Sequence, residues 1–192
     1  KMFMNTFVIA IFTCIISTIF VLSVAYSMSR MRFKMRKPFM NIAMIIGLFP
    51  SFMSMIAVYY ILRALNLADG AMIRVALIIV FSAGSGAGFY VAKGFFDTIS
   101  KSLDEAAIID GATRWNVFTK ITVPLSKPII VYTILTSFMG PWVDFIFGKV
   151  ICRADAQYYT VSIGLWKMLE KEYIDSWYTC FAAGAVVVSI PI

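Results

Sequence analysis

Long uncharged stretches alternate with short charged ones along most of this chain. Apolar residues dominate, and charged residues are few, at about 2–29, 38–62, 73–93, 127–147 and 176–192. Most of these stretches approach the roughly 20 residues that an α-helix needs to cross the hydrocarbon core of a bilayer. The pattern predicts an all-α, polytopic membrane helix bundle with five spans, forming a single transmembrane domain over residues 1–192.

The composition agrees with that prediction. The chain has 192 residues, of which 61% are hydrophobic and 14% are charged, and its mean hydropathy is +0.87. A soluble domain needs a polar surface that this composition does not supply, and a signal peptide would account for one apolar stretch only. Because the first residue is Lys1 and the last apolar stretch is short, we expect the chain to lack an N-terminal helix and a C-terminal tail.

The distribution of basic residues predicts the orientation of the chain. A loop with five bases and no acid among them follows the first span: Arg30, Arg32, Lys34, Arg36 and Lys37. The positive-inside rule places this loop in the cytoplasm, and counting spans from it places the polar segment 94–126 there as well. The net charge of +7 therefore reflects membrane topology, and no nucleic-acid partner is predicted.

Proline and glycine residues should shape the second and third spans. Pro50 removes a backbone donor and should kink the second span, which makes it a candidate hinge or pathway residue. Gly84 and Gly88 lie four residues apart in the third span. Small residues at that spacing let another helix approach closely, so packing is the favoured interpretation of these glycines.

The fourth span contains a further interruption beside an acid. Gly140 and Pro141 should break the helix, and Asp144 follows about one turn later. An ionisable residue at membrane depth is a candidate for function, so these three residues are candidate hinge or pathway residues. The alternative is that the helix ends at Gly140 and that Asp144 lies at the outer interface, in contact with water.

The first part of the polar segment 94–126 has the features of a short helix. Ser102 and Glu105 have the spacing of a capping box, in which each side chain accepts from the other residue's backbone amide. Asp104 and Glu105 also favour the positive end of a helix dipole. Gly111 can supply the left-handed residue with which a helix ends.

A second short helix should begin directly after this glycine. Thr113 is a suitable N-cap, and Pro124 should end the helix. The apolar side of the second helix would consist of Trp115, Val117, Phe118 and Ile121. By pattern alone, such a helix pair could lie in the membrane interface or dock on another protein.

The spacing of particular residues in this segment resembles a known signature. Glu-Ala-Ala, three residues, Gly, nine residues and Ile-x-Leu-Pro mark the permease subunits of ATP-binding-cassette (ABC) importers. The residues that match at every spacing are Glu105, Ala106, Ala107, Gly111, Ile121 and Pro124, with Val123 in place of leucine. Nearly all of the chain is similar to the MalG-like permeases of carbohydrate importers.

This resemblance implies both a fold and a function. The fold is that of a type I ABC importer permease, in which the motif forms a cytoplasmic coupling helix that sits in a cleft of an ATPase subunit. The residues implied in this contact are Asp104, Glu105, Ala106, Ala107, Asp110, Gly111, Ala112, Thr113, Ile121 and Pro124. The chain itself would be no enzyme and would bind no cofactor, because ATP and Mg²⁺ are held by the partner ATPase subunits.

The resemblance also implies partners and a class of substrate. Such permeases work in the cell membrane with a second permease subunit, two ATPase subunits and an extracellular sugar-binding protein. The substrate would be an oligosaccharide, either maltodextrin-like or containing galactose. Whether this chain contacts the sugar directly is left open.

An ion-coupled secondary sugar transporter is the alternative function. It would need ionisable groups near the midplane of broken helices, and Asp144 is the candidate carboxylate. A membrane-embedded enzyme is disfavoured, because the chain has no histidine and shows no paired carboxylates within its spans.

Overall fold

The chain folds into helices and connecting turns throughout the residues that the computed structural model describes, which are 1–48, 51–153, 155–170 and 174–191. The α-helices are α1 (Met2–Arg30), α2 (Arg36–Gly47), α3 (Ser51–Ala64), α4 (Met72–Gly84), α5 (Phe89–Thr98), α6 (Lys101–Ile109), α7 (Arg114–Val117), α8 (Val123–Leu125), α9 (Lys127–Val143), α10 (Ile146–Cys152), α11 (Val161–Met168) and α12 (Ile174–Ser189). Short 3₁₀ segments lie at Ser85–Gly88 and Ala156–Tyr158, and a π-helical segment lies at Phe118–Thr122. The predicted all-α class is confirmed, with no strand in those ranges.

The lengths of the helices differ from the five predicted spans. Among the described residues, α1 alone is by itself long and apolar enough to cross a membrane, and the number rises to three if two bent helix pairs each count as one span. The predicted span at 38–62 is divided between α2 and α3, and Pro50 lies outside the described residues. The span at 73–93 is divided by the glycine-containing turn Ser85–Gly88, since glycine lowers helix propensity. The number of five spans is therefore not confirmed.

The chain divides into two compact units. The first unit consists of Lys1–Cys14, Phe49–Ala83 and Ser137–Ile192. Apolar side chains from several helices form its buried core, including Ile9, Ile73, Leu77, Ile151 and Ile163. The start of α1 is hydrogen-bonded to the start of α11 within this unit, because the backbone amide of Val161 donates to Oγ1 of Thr6 at 2.9 Å.

The second unit consists of Ile15–Leu48 and Gly84–Thr136 and contains the polar segment. Its core is formed by α1, α5 and α9 and includes Val21, Ala25, Phe89, Ala92, Phe96 and Ile129. A Cβ added at Gly88 would lie 3.9 Å from Val21, whereas one added at Gly84 would meet nothing within 4 Å. Of the two glycine contacts that were predicted, the described residues therefore make the one at Gly88.

Many large apolar side chains remain exposed in this single chain, among them Phe12, Ile19, Ile46 and Val186. Soluble monomers rarely expose apolar surface on this scale. The surface therefore suits lipid or another subunit. The single transmembrane domain over 1–192 and the cytoplasmic position of 94–126 stay predictions.

Candidate functional site

A sharp turn joins the helices α6 and α7. We call residues 101–117, which comprise the two helices and this turn, the elbow. Gly111 has φ +84°, a conformation that L side chains rarely adopt. The amide of Gly111 donates to the carbonyl of Ile108 at 3.0 Å, and the amide of Ala112 donates to that of Ala107 at 2.9 Å. These two bonds form the Schellman motif that closes a helix C-terminus. The predicted left-handed stop at Gly111 is therefore confirmed.

The N-terminus of α6 differs from the predicted capping box. The helix begins at Lys101, and its N-cap is Ser100, whose hydroxyl accepts from the amide of Ser102 at 3.3 Å. The box predicted for Ser102 and Glu105 is wrong, because two serines lie two residues apart and the extended backbone of Ser100 puts the earlier one at the cap. Asp104 lies in the first turn of α6, as the helix dipole favours.

The second helix of the elbow begins as predicted. The hydroxyl of Thr113 accepts from the amide of Asn116 at 3.2 Å, which confirms Thr113 as the N-cap of α7. The predicted apolar side is only partly enclosed. Val117 is buried and the ring of Phe118 lies 4.7 Å from that of Tyr26, whereas Trp115 is 70% exposed.

Pro124 does not end the second helix, contrary to the prediction. The helical segment continues from α7 through the π-helical residues Phe118–Thr122 into α8, and Pro124 lies in the first turn of α8. A proline lacks the N–H that a continuing helix would use at this position. The π-helical turn supplies the adjustment, since the amide of Val123 donates to the carbonyl of Phe118. The chain then bends by 81° between α8 and α9.

The outer surface of the elbow carries most of the residues that the signature implied. Among those residues, Glu105, Ala106, Asp110, Gly111, Thr113 and Pro124 are exposed, while Ala107, Ala112 and Ile121 are half-buried. Large apolar side chains of α6 are exposed as well, namely Leu103, Ile108 and Ile109, the last of them to 85%. In the sequence, Ile108 and Ile109 stand out as a pair of isoleucines in a polar segment, separated from Gly111 by Asp110.

The inner surface of the elbow is polar and enclosed. The guanidinium of Arg30, the last residue of α1, donates from Nη2 to the carbonyls of Phe96 at 3.0 Å and Ile99 at 2.9 Å. Its Nε lies 3.2 Å from Oδ2 of Asp104, and the two side chains are 5% and 13% exposed, respectively. Asp104 is therefore largely enclosed, whereas most of the other signature residues are exposed. Arg30 entered the sequence analysis only as part of the basic loop.

A second polar contact lies beside this ion pair. The hydroxyl of Ser29 donates to Oδ1 of Asp97 at 2.6 Å, and Lys93 forms a salt bridge with the same carboxylate. Burial acts to raise the pKa of Asp97, but the hydrogen bonds from Lys93 and Ser29, together with the charge of Arg36, outweigh it and hold this pKa below its usual value. The last turn of α1 is thus tied to α5 through charged groups.

A cleft of about 420 Å³ lies between the end of α1 and the elbow. The bases that line it are Arg30, Arg32, Arg36, Lys101 and Arg114, and the acids are Asp104 and Glu105. Since Arg30 is already paired with Asp104, the remaining bases leave this cleft with an excess of positive charge. An acidic surface would complement it electrostatically.

The candidate pathway residues of the fourth span have structural partners. α9 runs from Lys127 to Val143 with Pro141 inside it, so the predicted break at Gly140 and Pro141 is wrong. Pro141 removes one amide donor from the last turn of α9, and the amide of Asp144 still donates to the carbonyl of Gly140 at 3.1 Å. The carboxylate of Asp144 accepts from the amide of Gly148 at 3.0 Å, in the first turn of α10. Asp144, one residue before the N-cap Phe145, therefore caps the first turn of α10 with its side chain.

Comparison with known proteins identifies the class to which these features belong. Residues 20–192 match the family described as binding-protein-dependent transport system inner membrane component. The chain belongs to this family of transport proteins. The elbow described above, with its Glu-Ala-Ala and glycine signature, lies within the matched region.

Individual relatives agree with the family. The galactooligosaccharides transport system permease protein GanQ of Bacillus subtilis (strain 168) is 34% identical over 191 residues, which are 99% of this chain and 66% of GanQ. The maltodextrin transport system permease protein MalD of Streptococcus pneumoniae is 30% identical over 190 residues, again 99% of this chain and 66% of the relative. The chain thus spans slightly less than two thirds of the length of these relatives.

A solved structure is similar over the same extent. It is the crystal structure of a bacterial ABC transporter involved in the import of the acidic polysaccharide alginate, and it superposes with a TM-score of 0.79 at 25% identity. The match covers 98% of this chain and 68% of the transporter chain. The helical fold is therefore that of an ABC importer permease.

Proposed function

We propose that this chain is a transmembrane permease subunit of an ABC importer that moves an oligosaccharide into the cell, powered by separate ATPase subunits through the elbow. The observation that carries this proposal is the elbow itself. Its signature residues form two capped helices around Gly111 at φ +84°, and its outer surface presents apolar side chains with no partner visible in the described part of this chain. That combination suits a preformed docking surface.

The physical properties of the outer surface support docking on another protein. Ile109 is 85% exposed, and enclosing such a side chain contributes roughly 1.5–3 kcal/mol. The exposed Ala106 and half-buried Ala107 beside it are small enough to let a partner approach the backbone of α6. The Schellman turn fixes the angle between α6 and α7, so the elbow can pass a displacement on as a rigid piece.

The names of the relatives support an oligosaccharide as the substrate class. GanQ and MalD are named for galactooligosaccharide and maltodextrin transport, respectively. We therefore infer a maltodextrin-like or galactose-containing oligosaccharide.

The proposal includes partners and a five-span arrangement of the apolar segments. A second permease subunit would cover part of the exposed apolar surface, and two ATPase subunits would hold ATP and Mg²⁺. An extracellular sugar-binding protein would deliver the substrate. In the resulting cycle, closure of the ATPases turns the pathway outward, and their reopening delivers the sugar inside, while this chain moves but catalyses nothing.

A photo-cross-linking experiment tests the docking surface. A benzoylphenylalanine introduced at Ile109 should cross-link to the ATPase subunit in the assembled transporter, whereas the same probe at Phe12, an exposed residue of α1, should not. Absence of the Ile109 product would contradict the proposal. Uptake of labelled maltotriose or galactotriose by sealed vesicles should also require ATP, and uptake driven by an ion gradient without the ATPase would favour the secondary transporter instead.

A further inference from the structure

We propose that Arg30 is a positioning residue that fixes the elbow to the cytoplasmic end of α1, so that a displacement of the elbow also moves α1. This inference rests on the proposed function, in which the elbow receives a displacement from the ATPase. It names α1 as a helix that the displacement moves and Arg30 as the residue through which the movement passes.

Arg30 joins three helices through one side chain. As the last residue of α1, it bonds the carbonyls of Phe96 and Ile99 at the end of α5 with Nη2, at 3.0 and 2.9 Å. Its Nε approaches Asp104, in the first turn of α6, at 3.2 Å. The guanidinium therefore sits where α5 ends and the elbow begins.

The electrostatic environment suits a permanent cation. The carbonyls at the end of α5 form the negative pole of that helix, and Asp104 adds a full negative charge. An arginine side chain is always charged, and its planar guanidinium holds five N–H donors in a fixed arrangement, whereas the three donors of a lysine share one nitrogen. With 5% of the side chain exposed, water weakens these contacts little.

Other contacts of α1 reach the far side of the elbow. The hydroxyl of Tyr26 lies 3.4 Å from the carbonyl of Arg114 at the start of α7, and its ring packs at 4.7 Å against Phe118. Ser29 bonds Asp97 near the end of α5. The last turns of α1 therefore hold the residues before, within and after the elbow, and Arg30 is the charged centre of that contact.

Buried ion pairs of this kind specify geometry more than they stabilise. The cost of removing two charges from water offsets most of their attraction, but removing one partner leaves the other buried without compensation. Replacing Arg30 should therefore loosen the elbow from α1 while leaving the outer docking surface in place. Loss of coupling, with the ATPase still bound, is the expected consequence.

Hydrogen exchange in the assembled transporter tests this without knowledge of the sugar. In the wild type, trapping the ATPases with ATP and vanadate should change amide exchange both in the elbow and in the last turns of α1. In Arg30→Met the elbow should still respond, and α1 should not. Lys34→Met removes an exposed base of the neighbouring loop and should behave as the wild type. An unaltered response of α1 in Arg30→Met would overturn the proposal.

Two further variants separate the three-way contact from a simple ion pair. Arg30→Lys keeps the charge and should restore part of the α1 response. The exchanged pair Arg30→Asp with Asp104→Arg should not restore it, because a carboxylate would then face the carbonyls of Phe96 and Ile99. Full restoration by the exchanged pair would overturn the assignment of Arg30 as the joint between α5 and α6.

Transport stoichiometry gives a second readout in liposomes that contain the whole assembly. Sugar molecules moved per ATP, measured with labelled maltotriose and galactotriose, should fall about tenfold in Arg30→Met. If Arg30→Met does not assemble, Asp104→Asn replaces it in the exchange experiment, because this variant leaves both carbonyl bonds of Arg30 intact. An unchanged exchange response of α1 in Asp104→Asn would then count against the proposal. The Ile109 cross-link tells the two hypotheses apart. Absence of the cross-link in the wild type would contradict the proposed function itself. A cross-link together with an unaltered α1 exchange response in Arg30→Met would contradict only the role of Arg30.

Discussion

The elbow and the turn between α9 and α10 are built in opposite ways. At the elbow, an apolar residue, Ile109, is 85% exposed, and a charged one, Asp104, keeps 13% of its side chain exposed. At the other turn, the aromatic residue Trp142 is 2% exposed, and the carboxylate of Asp144 caps the following helix. In the sequence, both regions contain an acid close to a glycine or proline.

The difference shows where each turn finds its partners. The α9–α10 turn has packing and hydrogen-bond partners within the first unit, because Trp142 packs against Phe3 and Phe138 and the Asp144 carboxylate accepts from Gly148. The elbow pairs Asp104 with Arg30 and leaves Ile109 exposed. A turn that stabilises the chain and a turn that docks on another protein should therefore respond differently to the same substitutions.

The largest expected difference comes from replacing one tryptophan at each turn, Trp142 or Trp115, with alanine. Trp142→Ala should lower the free energy of unfolding by about 3 kcal/mol or more, since it empties a packed site. Trp115→Ala, at a 70% exposed position of the elbow, should change it by less than about 0.5 kcal/mol. Thermal unfolding of the purified assembly in detergent measures both. Equal losses of stability would remove the contrast between the two turns.

The outer surface of the elbow should show the next largest effect. Ile109→Ser should weaken association with the ATPase by about 2 kcal/mol, because an enclosed isoleucine would be lost. Met35→Ser is the matched control, since Met35 is 63% exposed on the neighbouring basic loop. Titration of the permease with purified ATPase gives both affinities, and equal weakening by the two changes would count against a specific surface at Ile109.

Substitution of Gly111 should cost less free energy than the changes above, but it should clearly reduce transport. Gly111→Val forces a β-branched residue into the left-handed region, which costs roughly 1–2 kcal/mol, so the protein should fold with a displaced elbow and transport poorly. Gly111→Asn should retain most activity, because asparagine tolerates this conformation better. ATP-dependent uptake in proteoliposomes compares the two. Equal activity of both variants would mean that the angle of the elbow is unimportant.

The features of the elbow that sequence predicts are those with local causes. Gly111 and Thr113 were predictable, because a positive φ and an N-cap depend on a few neighbouring residues. Ser100 was missed in favour of Ser102, since both have the same side chain and only the path of the chain out of α5 selects between them. Pro124 was misjudged because a π-helical turn accommodates it, and no pattern of residue types announces that adjustment.

The inner contacts of the elbow had no comparable signal. Arg30 bonds carbonyls that lie 66 and 69 residues further along the chain, and its place in a basic loop indicated only topology. Helix class was predictable from apolar stretches, but their division into shorter helices was not. The turn Ser85–Gly88 divides the third stretch, although the sequence favours helix packing as the interpretation of Gly84 and Gly88.

The smallest effect is expected at Asp144, and it separates the two functions considered. Asp144→Asn keeps an oxygen that can accept from Gly148 and removes only the attraction between a carboxylate and the start of α10, worth about 0.3–1 kcal/mol. ATP-dependent uptake should therefore remain close to that of the wild type. Asp144→Ala, which removes the acceptor, should cost about 1 kcal/mol of stability and also leave transport intact. If Asp144→Asn assembled normally but abolished uptake, the carboxylate would belong to the transport pathway, and ion coupling at this position would replace its role as a cap.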